Sequence, residues 1–164
     1  MESFNEFVGE YRKQMAKGHI QKAYRGLMEY IMALKTHFKN KYPEYSVPGS
    51  IYHGYMDMTY FPLFPESLKS KKLKIAVVFV HEAVRFELWL AANNKRIQTE
   101  YWKLFMESGW DKYHIPSTIK GIDSVVEYVV VDNPDFSNLD TLTDKIETGT
   151  LTFISDIEHF LSGH

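Results

Sequence analysis

The 164-residue chain contains no cysteine. This absence excludes disulfide bonds, thiolate nucleophiles and zinc sites with sulfur ligands, and it removes any argument for an oxidising compartment. At this length a folded chain buries about two thirds of its unfolded surface, so one core suffices without a covalent crosslink. We therefore expect one domain over residues 1–164.

Long apolar runs are also missing. No stretch approaches the roughly 20 apolar residues that span a bilayer, and the first residues lack a basic segment followed by an apolar one. The sequence therefore predicts a cytoplasmic protein with no membrane partner.

Several motifs of common enzyme classes are absent. The nine glycines form neither G-x-G-x-x-G nor G-x-x-x-x-G-K, and no G-x-S-x-G nucleophile elbow occurs. The formal net charge of -2 gives no positive field for a polyanion. These absences disfavour nucleotide folds, elbow-type serine hydrolases and nucleic-acid binding, and the sequence implies no cofactor.

A central apolar stretch, residues 72–91, predicts two strands. Residues 75–80 are an unbroken apolar run, whereas residues 85–91 alternate between faces. A hairpin that turns at residues 81–84 gives one continuously hydrophobic face and one mixed face. The predicted register pairs Val80 with Arg85, Val78 with Glu87 and Ala76 with Trp89.

A helical hairpin is predicted before this stretch. Ser3 and Glu6 have the spacing of a capping box, and Gly18 is a natural helix end. A second amphipathic helix then follows and ends before Tyr42, which precedes a proline.

The segments on either side of the central hairpin predict a further strand and a further helix. Residues 51–61 have β-type composition and predict a strand ended by Pro62. Asn93 or Asn94 can cap a helix that stops at Gly109.

The segment 123–132 is ambiguous. Its β-branched residues favour a strand, but its apolar pairs have helical spacing, and we predict a helix capped by Asp123. Two short amphipathic helices then close the chain. The expected fold class is α+β: a small antiparallel sheet of about three strands, packed with an N-terminal helical hairpin and C-terminal helices.

Segments 54–65, 74–105 and 123–136 resemble a family of small bacterial proteins catalogued only as a domain of unknown function. The resemblance spans most of the chain. It implies a bacterial, soluble protein with one domain, and it transfers no catalytic residue, cofactor or substrate.

The mixed face of the predicted hairpin is the first candidate binding site. Charged residues on an inner strand are costly unless they are paired, so they need an explanation. Aromatic, amide and guanidinium side chains at the hairpin exit extend this face and suit a polar ligand or a protein partner. The candidates are Arg85, Glu87, Trp89, Asn93, Arg96 and Tyr101. The simpler interpretation is a structural role: Arg85 and Glu87 pair with neighbours, Asn94 caps a helix and the tryptophans are core.

A metal-dependent hydrolase or nuclease is the alternative. It would use Asp57 and Glu87, with His53 or His81 as further catalytic candidates. Arg85 stands where an HExxH zinc motif needs its second histidine, so no metal site is assigned. A third alternative is a homodimer formed by an edge strand and exposed aromatic residues. A non-enzymatic module for an unknown small molecule or protein partner remains the leading hypothesis.

Overall fold

The computed structural model describes residues 1–164 and contains five α-helices and four strands. The helices are α1 (Phe4–Lys17), α2 (His19–Lys41), α3 (Glu66–Lys69), α4 (Lys95–Ser108) and α5 (Leu139–Ser162). The strands are β1 (Met58–Leu63), β2 (Leu73–Val80), β3 (Arg85–Ala92) and β4 (Ser124–Val131). This confirms the α+β class, with four strands rather than about three.

The sheet is antiparallel throughout, in the order β1-β2-β3-β4. The central hairpin has the predicted register, with Val80 opposite Arg85 and Ala76 opposite Trp89. Alternation along the strands therefore separates the sheet into two faces, as the sequence indicates.

One face, which we call the core face, packs against the helices. Its side chains include Ile75, Val77, Phe79, Phe86 and Leu88, all almost fully buried. Tyr30 of α2 contacts Phe86 edge-on, and Phe153 of α5 stacks with Tyr128 of β4. The opposite face carries the mixed side chains and is called the polar face below.

The N-terminal helical hairpin forms as predicted. Ser3 and Glu6 make both hydrogen bonds of the capping box. Gly18 ends α1 with a φ of 78°, a left-handed conformation that glycine adopts without strain. Helix α2 ends at Lys41, and Phe38 near its end is fully buried.

The helix after the hairpin is also confirmed. Asn94 accepts a hydrogen bond from the amide of Ile97 and is the N-cap of α4, and Gly109 follows its last turn. No helix in the structure has the length and apolar character needed to cross a membrane.

The first strand is shorter and later than predicted. Strand β1 starts at Met58 and continues through Pro62, whose partner in the ladder is Ala76. Pro62 is tolerated because β1 is an edge strand, where a residue without an N–H need not break the ladder. Residue Tyr52 makes only an isolated bridge to Tyr60 on the outer side of β1.

The predicted helix at residues 123–132 is wrong, because this segment is strand β4. The register shifts twice, so that Val125 and Val130 are extra residues opposite β3. Such bulges place neighbouring side chains on one face, and Val125 and Val126 are both fully buried. The apolar pairs that suggested helical spacing are therefore produced by bulges.

The two predicted C-terminal helices are one helix, α5, of 24 residues. Gly149 lies inside it, where a Cβ would stand 2.3 Å from Cγ2 of Val130. The glycine therefore allows α5 to approach β4 closely and does not interrupt the helix.

Candidate functional site

Three predicted residues form a connected row on the polar face of β3. Glu87 accepts hydrogen bonds from Nε of Arg85 and from Nε1 of Trp89, each at 2.8 Å. They meet because side chains two apart on a strand share a face. The Glu87 side chain is thus the common acceptor for a guanidinium and an indole.

This row resolves the charge problem posed by the sequence. Glu87 is only 6% exposed, and both of its donors are partly exposed. The hydrogen bond to Glu87 raises the pKa of the Arg85 guanidinium above its usual value. The cost of burying the carboxylate is offset by two short hydrogen bonds, one of them charge-assisted.

Two clefts lie on either side of this row. The first, the loop cleft, has a volume of about 840 Å³ and is lined by Arg85, Glu87 and the loop at residues 109–115. The second, the sheet-face cleft, has a volume of about 430 Å³, is more enclosed and includes Trp89 and Asn93 in its lining. The predicted residues therefore divide between two concave surfaces.

The sheet-face cleft has small residues at its floor and aromatic residues at its sides. Ala76 and Ala91 lie on β2 and β3, whereas Tyr60 and Trp89 belong to β1 and β3. Strands two apart are separated by about 10 Å at the backbone, so Tyr60 and Trp89 lie on opposite sides of β2. Tyr52 packs against Tyr60, with ring centroids 5.1 Å apart.

The rim of the sheet-face cleft is polar. Lys95 donates to the carbonyl oxygens of Ile119 and Ile122, and Gln98 also donates to Ile122, so both hold the loop before β4. Lys74 is half-buried and makes no ion pair. Its ammonium group is therefore the cation at the rim that is available to a ligand.

Two predicted binding residues lie outside both clefts. Arg96 is exposed on α4 and pairs with Glu100 one helical turn later, at 3.2 Å. Tyr101 packs against the hydrophobic core, and burial raises its pKa. The residues that extend the site are instead Tyr52, Tyr60 and Lys74, which sequence reasoning missed. The alternation of the 51–61 segment placed Tyr52 and Tyr60 on one face, and this was the available signal.

The alternative catalytic residues are dispersed. The Asp57 carboxylate accepts from the amides of Tyr55 and Met58, and these bonds lower its pKa. Asp57 precedes the edge strand β1, whereas Glu87 lies on β3 with β2 between them. The two carboxylates therefore have separate partners and no shared site.

The two histidines of that alternative are linked through one hydroxyl group. Oγ1 of Thr59 donates to the carbonyl oxygen of His53 and lies 2.8 Å from Nε2 of His81. Burial lowers the pKa of His81, although the Asp57 charge opposes the shift. No three His, Asp or Glu side chains in residues 1–164 are grouped to hold a metal ion.

The family model described as "Domain of unknown function (DUF7000)" matches residues 4–161. The chain belongs to the DUF7000 family. No curated protein and no solved structure matches it.

This DUF7000 chain has a second buried carboxylate that sequence reasoning missed. Glu147 of α5 accepts from Lys41 and Tyr42 and lies 2.8 Å from Nε2 of His37. Burial raises the pKa of Glu147, but these hydrogen bonds outweigh it and leave the pKa below its usual value. Glu147 therefore ties α5 to α2. No motif in the sequence marks it, because its partners lie more than 100 positions away.

Proposed function

We propose that this DUF7000 protein is a non-enzymatic binding module whose sheet-face cleft takes a small planar molecule. The observation that carries the proposal is that Tyr60 and Trp89, on the two strands that flank β2, line one cleft together with Ala76 and Ala91. Its volume of about 430 Å³ is within the range of small-molecule sites, roughly 300 to 1,000 Å³.

The position of Trp89 supports this role. Glu87 holds its indole N–H at 2.8 Å, so the ring is oriented before any ligand arrives. An aromatic wall that is already fixed loses little conformational entropy when it stacks on a ligand. Glu87 and Arg85 are positioning residues in this account.

The charged residues that line the cleft are Lys74, Lys95 and Asp123, which are of both signs, and Lys74 favours a ligand with one anionic or acceptor group. Lys74 has no ion-pair partner in the chain, whereas Lys95 already binds two carbonyl groups. A planar ring between Tyr60 and Trp89 would bring a substituent toward Lys74. The ligand class is therefore a small aromatic or conjugated anion.

Nuclear magnetic resonance with two matched probes tests this proposal. Benzoate and its neutral counterpart benzamide are titrated into the ¹⁵N-labelled protein. We expect benzoate to shift the indole N–H of Trp89 and the amides of Ala76 and Ala91. Lys74→Met should weaken benzoate about five- to tenfold and leave benzamide nearly unchanged, since only the anion gains a charge-assisted hydrogen bond.

Two variants control for folding and for surface effects. Trp89→Leu should abolish the shifts at Ala76 and Ala91, whereas Arg96→Gln, on the exposed side of α4, should leave them unchanged. Shifts that arise elsewhere in the molecule, or that persist in Trp89→Leu, contradict the assignment of the site.

The metal-dependent alternative with Asp57, Glu87, His53 and His81 has no geometric observation in its favour. Bacterial origin, cytoplasmic location and a single domain stay predictions of the sequence. Dimerisation through an edge strand is disfavoured, because bridges from Tyr52 and His114 already occupy parts of the outer edges of β1 and β4.

A further inference from the structure

Helix α1 carries an apolar stripe that is largely exposed, although α1 contacts α2 near the turn that joins them. Its residues follow helical spacing and are Phe4, Phe7, Val8, Tyr11 and Met15. Phe4 is 82% exposed, Phe7 57% and Tyr11 65%, and no residue of α1 is buried. Helices shorter than about 12 to 15 residues are marginal in water without tertiary packing, so a 14-residue helix with an exposed stripe lacks its partner.

The same chain has an apolar groove that is also unfilled. It has a volume of about 520 Å³, and seven of its ten lining residues are hydrophobic. Its walls include Ala23, Leu27 and Tyr30 of α2, Phe79 of β2, and Phe136 and Leu139 near the start of α5. None of its lining residues belongs to α1.

We propose that two copies of this chain form a dimer by reciprocal docking of α1. The α1 stripe of each copy binds in the groove of the other copy. Both surfaces adjoin the first turns of α2, because Gly18 alone separates α1 from α2 and the groove starts at Lys22. A reciprocal contact of this kind closes with twofold symmetry and leaves neither surface open.

The area that such a contact buries reaches the lower limit of specific protein interfaces. Aromatic side chains bury about 150 to 250 Å² each, so the exposed parts of the three on α1 offer roughly 400 Å². The two stripes together offer about 800 Å². With the smaller surface of the two grooves added, the contact reaches the roughly 1,000 Å² that a specific interface needs. A helix laid into a groove with anchors at spacings of three and four residues is a known recognition mode.

The charges of α1 favour a protein partner over a membrane. The helix carries Glu6 and Glu10 against Arg12, Lys13 and Lys17, a net charge of only +1, whereas interfacial membrane helices have a polar face rich in lysine and arginine. At the groove, Lys22 has no ion pair and can face Glu10 of the second copy.

Sedimentation velocity of the full chain tests the reciprocal docking. We expect a dimer at about 100 µM protein, because a contact near the lower limit of specific interfaces is weak and forms only at high protein concentration. The double variant Phe4→Gln with Phe7→Gln and the groove variant Leu139→Glu should each weaken association at least tenfold. Met106→Glu, a matched change at an exposed methionine of α4, should sediment as the wild type does.

Crosslinking then tests which surfaces meet. The chain has no cysteine, so Val8→Cys and Ala23→Cys can be placed in separate chains and mixed with a short bismaleimide reagent. The expected main product joins Val8→Cys of one chain to Ala23→Cys of the other, and it should be lost with the Phe4 and Phe7 changes.

Three results would overturn the proposal. They are a wild-type chain that stays monomeric at several hundred micromolar, a stripe variant that dimerises like the wild type, and binding of α1 to phosphatidylcholine and phosphatidylglycerol vesicles by a monomer. The sheet-face cleft is a separate surface, so these outcomes leave the binding proposal standing.

Discussion

Glu87 lies between Arg85 and Trp89, two residues before and two residues after it on β3, and accepts a hydrogen bond from each. A deeply buried carboxylate is stable only while its hydrogen-bond donors are present. Arg85 and Trp89 in turn need Glu87 as the acceptor of their hydrogen bonds. The three side chains therefore form one unit at the residue scale, and the orientation of Trp89 in the cleft depends on it.

Replacing Glu87 by leucine should destabilise the protein by about 2 to 4 kcal/mol, since it leaves an arginine and an indole N–H without their acceptor. Urea unfolding measures the loss. The matched control is Glu100→Leu, which breaks the exposed pair with Arg96 and should cost less than about 0.5 kcal/mol. Equal losses in the two variants would show that the Glu87 row is not a buried network.

The sequence predicted this row because alternation and hairpin register are local properties. Once the turn at residues 81–84 is assigned, Arg85, Glu87 and Trp89 must share a face. The other wall of the cleft was not predictable in the same way. Tyr60 lies in the site because β1 pairs with β2. The predicted strand began at residue 51, whereas residues 51–57 form the loop before β1.

At the scale of elements, β4 and α5 depend on each other through Gly149. A Cβ at this position would stand 2.3 Å from Cγ2 of Val130. Valine has a stiff χ1 and cannot easily turn away. Gly149 is therefore the place where α5 and the bulged edge strand β4 make a close contact.

Gly149→Ala should destabilise the protein by about 1 to 3 kcal/mol through this overlap, despite the better helix propensity of alanine. Adding Val130→Ala should recover much of the loss relative to Val130→Ala alone. Gly9→Ala in α1 is the control, because nothing lies within 4 Å of its Cβ, and it should not destabilise. Thermal unfolding of the four variants measures these differences. A loss in Gly149→Ala that Val130→Ala does not relieve would contradict the contact.

Helix boundaries were predictable where the chain marks them with caps. Ser3, Gly18, Asn94 and Gly109 each act as the sequence indicates. Segment 123–132 was not predictable by the same means, because a bulged strand and an amphipathic helix produce similar apolar patterns. Only the pairing with β3 distinguishes them, and that pairing is a tertiary property.

At the scale of the whole molecule, the helices pack on the core face and leave the sheet-face cleft open on the other. Glu147 ties α5 to α2, and neither it nor its hydrogen-bond partners line the cleft. The proposed cleft and the main core therefore use opposite faces of the sheet.

Native mass spectrometry of the purified chain, beside its denatured mass, tests the central claim most directly. The account predicts that the wild type retains a small molecule whose mass is lost on denaturation, and that Trp89→Leu, purified in the same way, shows the bare chain. A wild-type chain without added mass, or a Trp89→Leu chain that retains the same mass, would contradict binding in the sheet-face cleft.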